Sequence, residues 1–480
     1  MLQPNPDSAR PKSLHIFHTD SEFRGSDSAV LEVLAMLTDT MERRKGAWSR
    51  AKELAEGTPE TRNRYVDFLR AVAIAGVVLG HWLMTAPTMD RGELTLSYIL
   101  HITPWTQWLT WIFQVMPLFF IVGGYSNAVS WESARRGGRT YGVWISARLR
   151  RLIGPVVPLL LLWMGMAVVA HFLSVDPGMI QIASQIALMP TWFLAVYIIV
   201  VVAAPATHAL WRRFGMVSVW GFLLGAVLVD VVSFSSDFPL LRWANYAFVW
   251  LGVHQLGYVW YAGKMSSSTR AFAWAGGALV VLFILMALAR YPVSMVTVPG
   301  EELSNSRPPT LAILALGIFH WGLVLSVEAP MRRWLRKIHP WAVTVLVNGT
   351  IMTIYLWHVT AMCLIIGLAG MLGGIGLRFQ PGSLNWWITR PIWISTFAVV
   401  LFAFVAVFGR FEQSSRAESV SMFPAWQALA GAAIVCVGLA TLALDGIAAP
   451  GPIGIRIWIL LLTFFGAGLA LGIPSRPHRA

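Results

Sequence analysis

The sequence predicts an all-α, polytopic membrane protein with about twelve transmembrane helices and both termini on the cytoplasmic side. Three observations support this prediction. Of the 480 residues, 56% are hydrophobic and 12% are charged, about half of the charged share of soluble domains. Apolar windows long enough to cross a bilayer recur along the chain. Lys and Arg collect in every second loop between these windows, as in a multi-pass protein of the inner (plasma) membrane.

The predicted spans follow from the length of helix that a membrane requires. A hydrocarbon core about 30 Å thick needs roughly 20 mostly apolar residues in helical conformation. One window, 341–371, is overlong and rich in glycine, so we expect it to end early, tilt or continue as a short outer helix. The windows are 66–86, 107–130, 150–173, 186–207, 217–234, 243–261, 271–290, 311–327, 341–371, 388–409, 424–445 and 455–473.

The orientation is predicted from the positions of the 36 Lys and Arg residues. With the N-terminus inside, 29 of them fall in cytoplasmic segments or at the cytoplasmic base of the first span, and seven fall on the opposite side. Basic residues favour the cytoplasmic side, so the expected arrangement is N-in and C-in. An odd number of spans would break this alternation.

The chain divides into three expected regions. Residues 1–64 form a cytoplasmic tail, in which apolar residues between Ser28 and Glu56 recur at helical spacing. The other face of this helix is basic, which suits an anionic bilayer surface, and a helix exposed only to water is an equally open interpretation. Residues 65–410 contain ten predicted spans, and residues 411–480 add two transmembrane helices.

Composition also limits the classes of function. The net charge of +13 and the isoelectric point near 10.2 do not indicate nucleic acid binding, because positive-inside loops give the same excess. Cys363 and Cys436 both lie in apolar runs, so no disulfide framework is expected. The sequence has no phosphate-binding loop and no Cys/His cluster with metal-ligand spacing, so no metal is predicted.

Ionisable residues in the first span are the main candidates for chemistry, because charged groups in a membrane are costly and mark function. Arg70 and His81 are eleven residues apart, which places them on one helix face to within about 20° and separates them by roughly 16 Å. Asp67, one turn before Arg70, is placed to pair with it. The alternative makes Arg70 an interfacial anchor and His81 a packed polar residue.

The first span resembles the opening of the acyltransferase-3 family, whose mark is an Arg, ten further residues and then a His. Five segments in the same order carry this resemblance, which covers about residues 65–410. Each segment is weak by itself, and their shared order on successive helices makes the resemblance specific. The segments are residues 67–74, 117–125, 148–155, 191–194 and 354–358.

This resemblance implies an O-acyltransferase, of the class that transfers groups other than aminoacyl groups. Members of the family are thought to take an acyl group, usually acetyl, from cytoplasmic acyl-CoA and to pass it to a hydroxyl of an envelope glycan or glycolipid. Arg70 and His81 are then the candidate catalytic residues, with His81 either a general base or a transient acyl carrier. Arg148 and Arg151 are candidate ligands of acyl-CoA, because guanidinium groups bind phosphates through paired, charge-assisted hydrogen bonds; plain positive-inside anchoring is their alternative.

Tyr355 and His358 are weaker candidates for substrate binding. His358 is expected at a depth similar to that of His81, with Tyr355 one turn below it, and a helix-packing hydrogen bond is the alternative. The chain departs from the family in two places. Residues 195–197 stand where many relatives have acidic residues, so an acid that some relatives use is absent. Residues 411–480 are membrane spans rather than the soluble hydrolase-like domain of some relatives.

A transporter or flippase for an envelope lipid or sugar is the alternative function, since twelve spans with both termini inside is a common transporter layout. Against it, the two halves of the chain show no repeat, and the charged motifs cluster in the first three spans. A non-catalytic scaffold fits poorly with Arg70 and His81 placed in lipid at a cost. Membrane lipid and the envelope glycan or glycolipid are the expected partners. The acceptor, the acyl chain length and homo-oligomerisation stay open.

Overall fold

The described part of the chain is predominantly helical. The computed structural model describes residues 46, 48–236, 238–289, 291–417, 424–449 and 451–471. The predicted tail helix lies partly outside these residues, and its described part, α1, covers residues 48–56 and ends before Gly57. The other helices are α2 (Arg64–Met84), α3 (Ile99–Ile102), α4 (Thr110–Phe113), α5 (Met116–Arg136), α6 (Tyr141–Ile153), α7 (Val156–Phe172), α8 (Pro177–Leu188), α9 (Thr191–Phe214), α10 (Met216–Ser235), α11 (Asn245–Tyr261), α12 (Ser268–Leu288), α13 (Leu311–Ser326), α14 (Glu328–Trp334), α15 (Ile338–Gly349), α16 (Ile351–Met371), α17 (Leu384–Ala417), α18 (Ala425–Asp445) and α19 (Ile457–Leu471).

The multi-pass membrane character is confirmed, although the exact number of spans stays a prediction. Within the described residues, nine helical segments are long and apolar enough to cross a membrane, and a tenth arises if α13 and α14, bent by 55° at their break, form one span. The helices α11 and α19, with 17 and 15 residues, would complete the predicted twelve. The N-in, C-in orientation also stays a prediction.

The helices break where glycine or proline interrupts an apolar run. Gly154 and Pro155 separate α6 from α7. Because α6 begins at Tyr141, the third span begins before the predicted window 150–173. The overlong window 341–371 breaks after Gly349, where α15 ends and α16 begins. The short helix α15 therefore precedes the long helix α16. It does not match the short outer helix expected as a continuation of this window.

A β-hairpin that the sequence did not predict follows α2. Strand β1 (Thr85–Asp90) pairs with β2 (Glu93–Tyr98) in antiparallel register. Arg91 and Gly92 form the turn with φ angles of 48° and 91°, as a two-residue hairpin turn requires. This end of the helix bundle is called the hairpin end below. The opposite end, where α2 begins, is called the basic end after its arginines Arg62 and Arg64.

Two glycines allow the close crossing of α5 and α11 in the middle of the bundle. A Cβ atom on Gly124 would collide with the backbone carbonyl of His254, and one on Gly257 would collide with the carbonyl of Ile121. Side chains larger than hydrogen would therefore force these helices apart, since packed interiors leave no free space. The crossing fixes α5, which carries several residues of the candidate site.

The two C-terminal helices pack on the main bundle. Helices α18 and α19 approach each other closely, because a Cβ on Gly438 would collide with Thr463. On the other side of α18, the Thr191 hydroxyl donates to the Leu439 carbonyl at 3.0 Å, and the Cys436 thiol donates to the Ala195 carbonyl at 3.4 Å. The added pair thus supports α9.

The segment before α2 packs on α15 at the basic end. Ala55 is buried against Trp341 and Ala342, and the Trp341 indole donates to the Thr58 hydroxyl at 2.9 Å. The Arg64 guanidinium lies 5.2 Å from the Trp341 ring centroid, a cation–π distance. The described part of the tail therefore belongs to the packed structure, and its binding to a bilayer surface stays a hypothesis.

Candidate functional site

The first part of the site is an ion-pair cluster at the basic end. Asn63 begins α2 as its N-cap, with its side chain accepting from the backbone nitrogen of Tyr65. One turn further on, Asp67 accepts from Arg62 Nε at 2.7 Å and from Arg70 Nη1 at 3.3 Å. The predicted Asp67–Arg70 pair is therefore present, and Arg62 shares the same carboxylate.

Arg70 also extends towards a neighbouring helix, since its Nη2 donates to the Ser126 hydroxyl on α5 at 2.7 Å. These two bonds hold the guanidinium between α2 and α5. A snorkelling anchor would direct its charge to the surface, whereas this guanidinium faces the inside of the bundle. The geometry therefore favours a role for Arg70 in the candidate site over the role of an interfacial anchor.

Arg148 brings a second positive charge to this cluster. Its guanidinium lies 5.6 Å from the Trp144 ring centroid, and it is within electrostatic range of Arg70, Arg151 and the Tyr197 hydroxyl. Among the described residues, Arg148 has no ion pair or hydrogen bond, while Arg62 and Arg70 share the carboxylate of Asp67. The inner side of the site therefore attracts anions.

The structure separates the two arginines that the sequence treats alike. Arg148 is partly buried and within electrostatic range of Arg70, whereas Arg151 is exposed. The spacing of i and i+3 places them on one side of α6, but they lie at different depths in the bundle. Arg148 is therefore the better positioned of the two for a ligand inside the site.

The second part of the site is a pair of histidines on α2 and α16. His81 Nδ1 lies 2.8 Å from His358 Nε2, and the two rings are stacked with centroids 5.1 Å apart. The Trp82 indole donates to the His358 carbonyl at 3.0 Å, which ties the same two helices together. The two histidines that the sequence places at similar depth are thus in direct contact.

The hydrogen bonds of His358 define which nitrogens of the pair carry protons. Its Nδ1 contacts the carbonyl oxygen of Tyr355, and a carbonyl oxygen only accepts, so Nδ1 is the donor. The Nε2 of neutral His358 is then an acceptor, and His81 Nδ1 donates to it. Neutral His81 is left with an unprotonated Nε2, the form that can take up a proton or attack a carbonyl.

A cavity of about 320 Å³ opens beside His81 towards the hairpin end. His81 and Tyr355 line it, while His358 lies fully buried behind them. The Tyr355 hydroxyl donates to the Pro190 carbonyl at 2.7 Å, so this hydroxyl already has an acceptor within the protein. The cavity volume is within the range of small-molecule sites.

The lining of this cavity combines apolar and aromatic surface with few charges. Arg307 is the one formally charged side chain among its described lining residues, and Tyr98 offers a hydroxyl. Burial raises the pKa of the Tyr98 phenol, so it is a neutral hydrogen-bond donor at neutral pH. Ala443 of α18 also lines the cavity, so this C-terminal helix forms part of its wall.

A comparison with protein families shows which family the chain belongs to. The acyltransferase-3 family model, described as an acyltransferase domain, matches residues 63–409. The chain belongs to the acyltransferase-3 family. No curated protein and no solved structure matches it. The resemblance inferred from the five sequence segments is thereby confirmed. The family and the apolar helices together indicate a membrane acyltransferase.

Several residues of this acyltransferase were not selected from the sequence. Ser126 holds Arg70, and Tyr197 lies beside Arg70 and Arg148. In the sequence, residues 195–197 stand out only because they lack the acid that many relatives have there. The signal for Tyr197 is its place one turn after the segment 191–194, on the same helix.

Other polar residues in the bundle have structural partners. His254 Nε2 lies 3.1 Å from the Asn127 side chain, and His320 Nε2 lies 3.0 Å from the Trp111 carbonyl. Asp230 is buried and accepts hydrogen bonds from Tyr291, Asn245 and the Leu311 backbone. These three hydrogen bonds give its carboxylate partners within the protein. Among the described residues, no group of three His, Cys, Asp or Glu side chains has a metal-binding arrangement.

Proposed function

We propose that the protein is an O-acyltransferase that moves an acyl group, by default acetyl, from cytoplasmic acyl-CoA to a hydroxyl of an extracytoplasmic envelope glycan or glycolipid. The observation that carries the proposal is the His81–His358 pair. It lies between Arg70 and Arg148 at the basic end, called the arginine cluster below, and a cavity at the hairpin end. The two substrates would reach His81 from opposite ends of the bundle.

The basic end would hold the donor. Acyl-CoA carries a diphosphate and a 3′-phosphate, and guanidinium groups bind such oxygens by charge-assisted hydrogen bonds. Arg148 is without an ion-pair partner among the described residues, and Arg70 is within electrostatic range of it. These two guanidinium groups would bind the phosphates, while Asp67 and Ser126 hold Arg70 in place.

The transfer itself would use His81 as general base. The acceptor hydroxyl oxygen attacks the thioester carbonyl carbon, and its proton passes to His81 Nε2. The carbon–sulfur bond breaks, and the departing CoA thiolate takes this proton. His358 accepts the hydrogen bond from His81 Nδ1 throughout, so it would orient the ring and stabilise the transient imidazolium. Attack of Nε2 on the thioester, with an acyl-histidine intermediate, is the alternative role of His81.

The test uses purified protein in lipid nanodiscs with labelled acetyl-CoA and an envelope lipid and glycan extract. We expect the wild-type protein to bind CoA, to release CoA during turnover and to label an acceptor. His81→Ala should lose transfer by about 10²–10⁴-fold, as is typical for removal of a general base, and should keep CoA binding. Indifference of the wild-type protein to CoA would support the transporter alternative and refute the proposal.

The donor site has its own matched control. Arg148→Glu reverses the charge beside Arg70 and should weaken CoA binding strongly. Arg332→Glu changes an arginine that is exposed and already paired with Glu328 at 2.9 Å. Equal losses from the two variants would indicate a general charge effect and remove the argument for a phosphate site at Arg148.

A further inference from the structure

A series of aromatic rings in contact leads from the side of Arg70 and Arg148 to the histidine pair. The Tyr197 ring lies 5.7 Å from that of Phe193, which lies 5.4 Å from that of Tyr355. Phe119 of α5 contacts both Phe193 and Tyr197, at 5.3 Å each. The rings of Phe119, Phe193 and Tyr197 are called the aromatic cluster below. Through Tyr355, whose ring centroid lies 6.0 Å from that of His358, this cluster is connected to the histidine pair.

Tyr197 is the member of this cluster that faces the arginines. Its hydroxyl is within electrostatic range of Arg70 and Arg148, and it lies against α5, where a Cβ on Gly123 would come within 3.0 Å of it. Ser126, which binds Arg70, is three residues further along α5, one turn nearer to the basic end. The hydroxyl is therefore one helical turn from the Arg70 site, on the side towards His81.

The Tyr197 hydroxyl has no hydrogen-bond partner among the described residues, although most buried tyrosine hydroxyls have one. Tyr141, in the same part of the bundle, donates to the Val202 carbonyl at 3.1 Å. A phenol that is partly buried, unpaired and within electrostatic range of two guanidinium groups is available for a ligand, because it can donate or accept a hydrogen bond.

We propose that the Tyr197 hydroxyl binds the phosphopantetheine arm of the acyl donor where this arm enters the aromatic cluster. The inference rests on the proposed function. If Arg70 and Arg148 hold the phosphates and the thioester reaches His81, about 16 Å along α2 from Arg70, the arm must cross this cluster. The arm carries amide groups within an otherwise apolar chain. The phenol supplies a polar contact for an amide, and the neighbouring rings pack against the methylene groups.

A carboxylate at this position would have a different effect. Facing Arg70 and Arg148, it would neutralise the guanidinium groups and compete with the phosphates of the donor. Tyrosine leaves the positive charge available and still provides a hydrogen bond. The absence of an acid in residues 195–197 is therefore consistent with a site in which the donor itself supplies the negative charge.

The experiment measures the affinity of the full-length protein in nanodiscs for three probes: CoA, 4′-phosphopantetheine and adenosine 3′,5′-bisphosphate, which lacks the arm. Tyr197→Phe keeps the ring and removes the hydroxyl. We expect it to weaken CoA and phosphopantetheine by about 3- to 10-fold, as for loss of one hydrogen bond, and to leave the bisphosphate unchanged. Tyr141→Phe, which removes a hydroxyl bonded to the backbone, should change none of the three affinities.

The outcomes separate the two proposals. Unchanged affinity of Tyr197→Phe for phosphopantetheine would overturn the assignment of Tyr197 and leave the acyltransferase function intact. An equal loss for all three probes would mean that the hydroxyl supports the site as a whole, and would overturn a specific contact with the arm. Failure of the wild-type protein to bind CoA would overturn the proposed function together with this inference.

Discussion

Replacement of His358 tests the histidine pair more sharply than replacement of His81 alone. His358 is completely buried and does not line the cavity, so it acts on a substrate only through His81. His358→Leu removes the acceptor of the 2.8 Å bond from His81 Nδ1 and keeps an apolar side chain of similar size. His358→Gln offers an amide oxygen that can accept the same bond.

The magnitude follows from the charge that His81 acquires during transfer. Once His81 has taken the acceptor proton, its bond to His358 Nε2 is a hydrogen bond from a charged donor, which contributes about 1.5–3 kcal/mol. Each 1.36 kcal/mol corresponds to a tenfold change in rate. We therefore expect His358→Leu to lower kcat by about 10- to 150-fold, with a partial recovery in His358→Gln. The loss should be smaller than that of His81→Ala.

The assay is transfer of label from acetyl-CoA in nanodiscs, together with the dissociation constant for CoA as a test of folding. Both His358 variants should bind CoA as the wild-type protein does, because the arginine cluster lies at the other end of the aromatic cluster. A fully inactive His358→Leu beside a nearly normal His81→Ala would show that the roles are reversed. Normal kcat in both Leu and Gln variants would reduce the contact to helix packing.

Three further predictions test topology, charge and packing. A reporter fused within residues 299–308 should lie outside the cytoplasm, because the basic residues predict N-in and C-in; a cytoplasmic signal would reverse the proposed sides of donor and acceptor. Arg148→Glu should weaken CoA binding more than Arg151→Glu, since Arg148 faces Arg70 while Arg151 is exposed; the opposite order in the titrations would move the donor site outward. Gly124→Ala should lower the melting temperature in detergent, because overpacking typically costs about 1–3 kcal/mol, whereas Gly221→Ala, where an added Cβ meets nothing within 4 Å, should not.

The sequence by itself determined that this protein lies in a membrane and which family it belongs to. Apolar windows and the distribution of basic residues report directly on the cost of placing charge in lipid, so they predict a multi-pass membrane protein without any tertiary information. The eleven-residue separation of Arg70 and His81 fixes their relation, because both lie on the one helix α2. The family segments, which lie within single helices or at their ends, are visible for the same reason.

Contacts between helices needed the tertiary structure. The sequence places His81 and His358 at a similar depth, but 277 residues separate them, and no local pattern states that α2 and α16 are neighbours. The difference between Arg148 and Arg151 has the same origin, since only the packing of the helices decides which guanidinium is buried near Arg70.

The tertiary structure also decided what the local patterns left ambiguous. The window 341–371 contains enough apolar residues for one long helix, and the structure divides it after Gly349 into α15 and α16. Tyr197 has no distinguishing pattern in an apolar helix, and its importance comes from two arginines on other helices. Periodicity and composition record the cost of transfer into lipid, whereas the identity of a neighbour depends on how the helices pack.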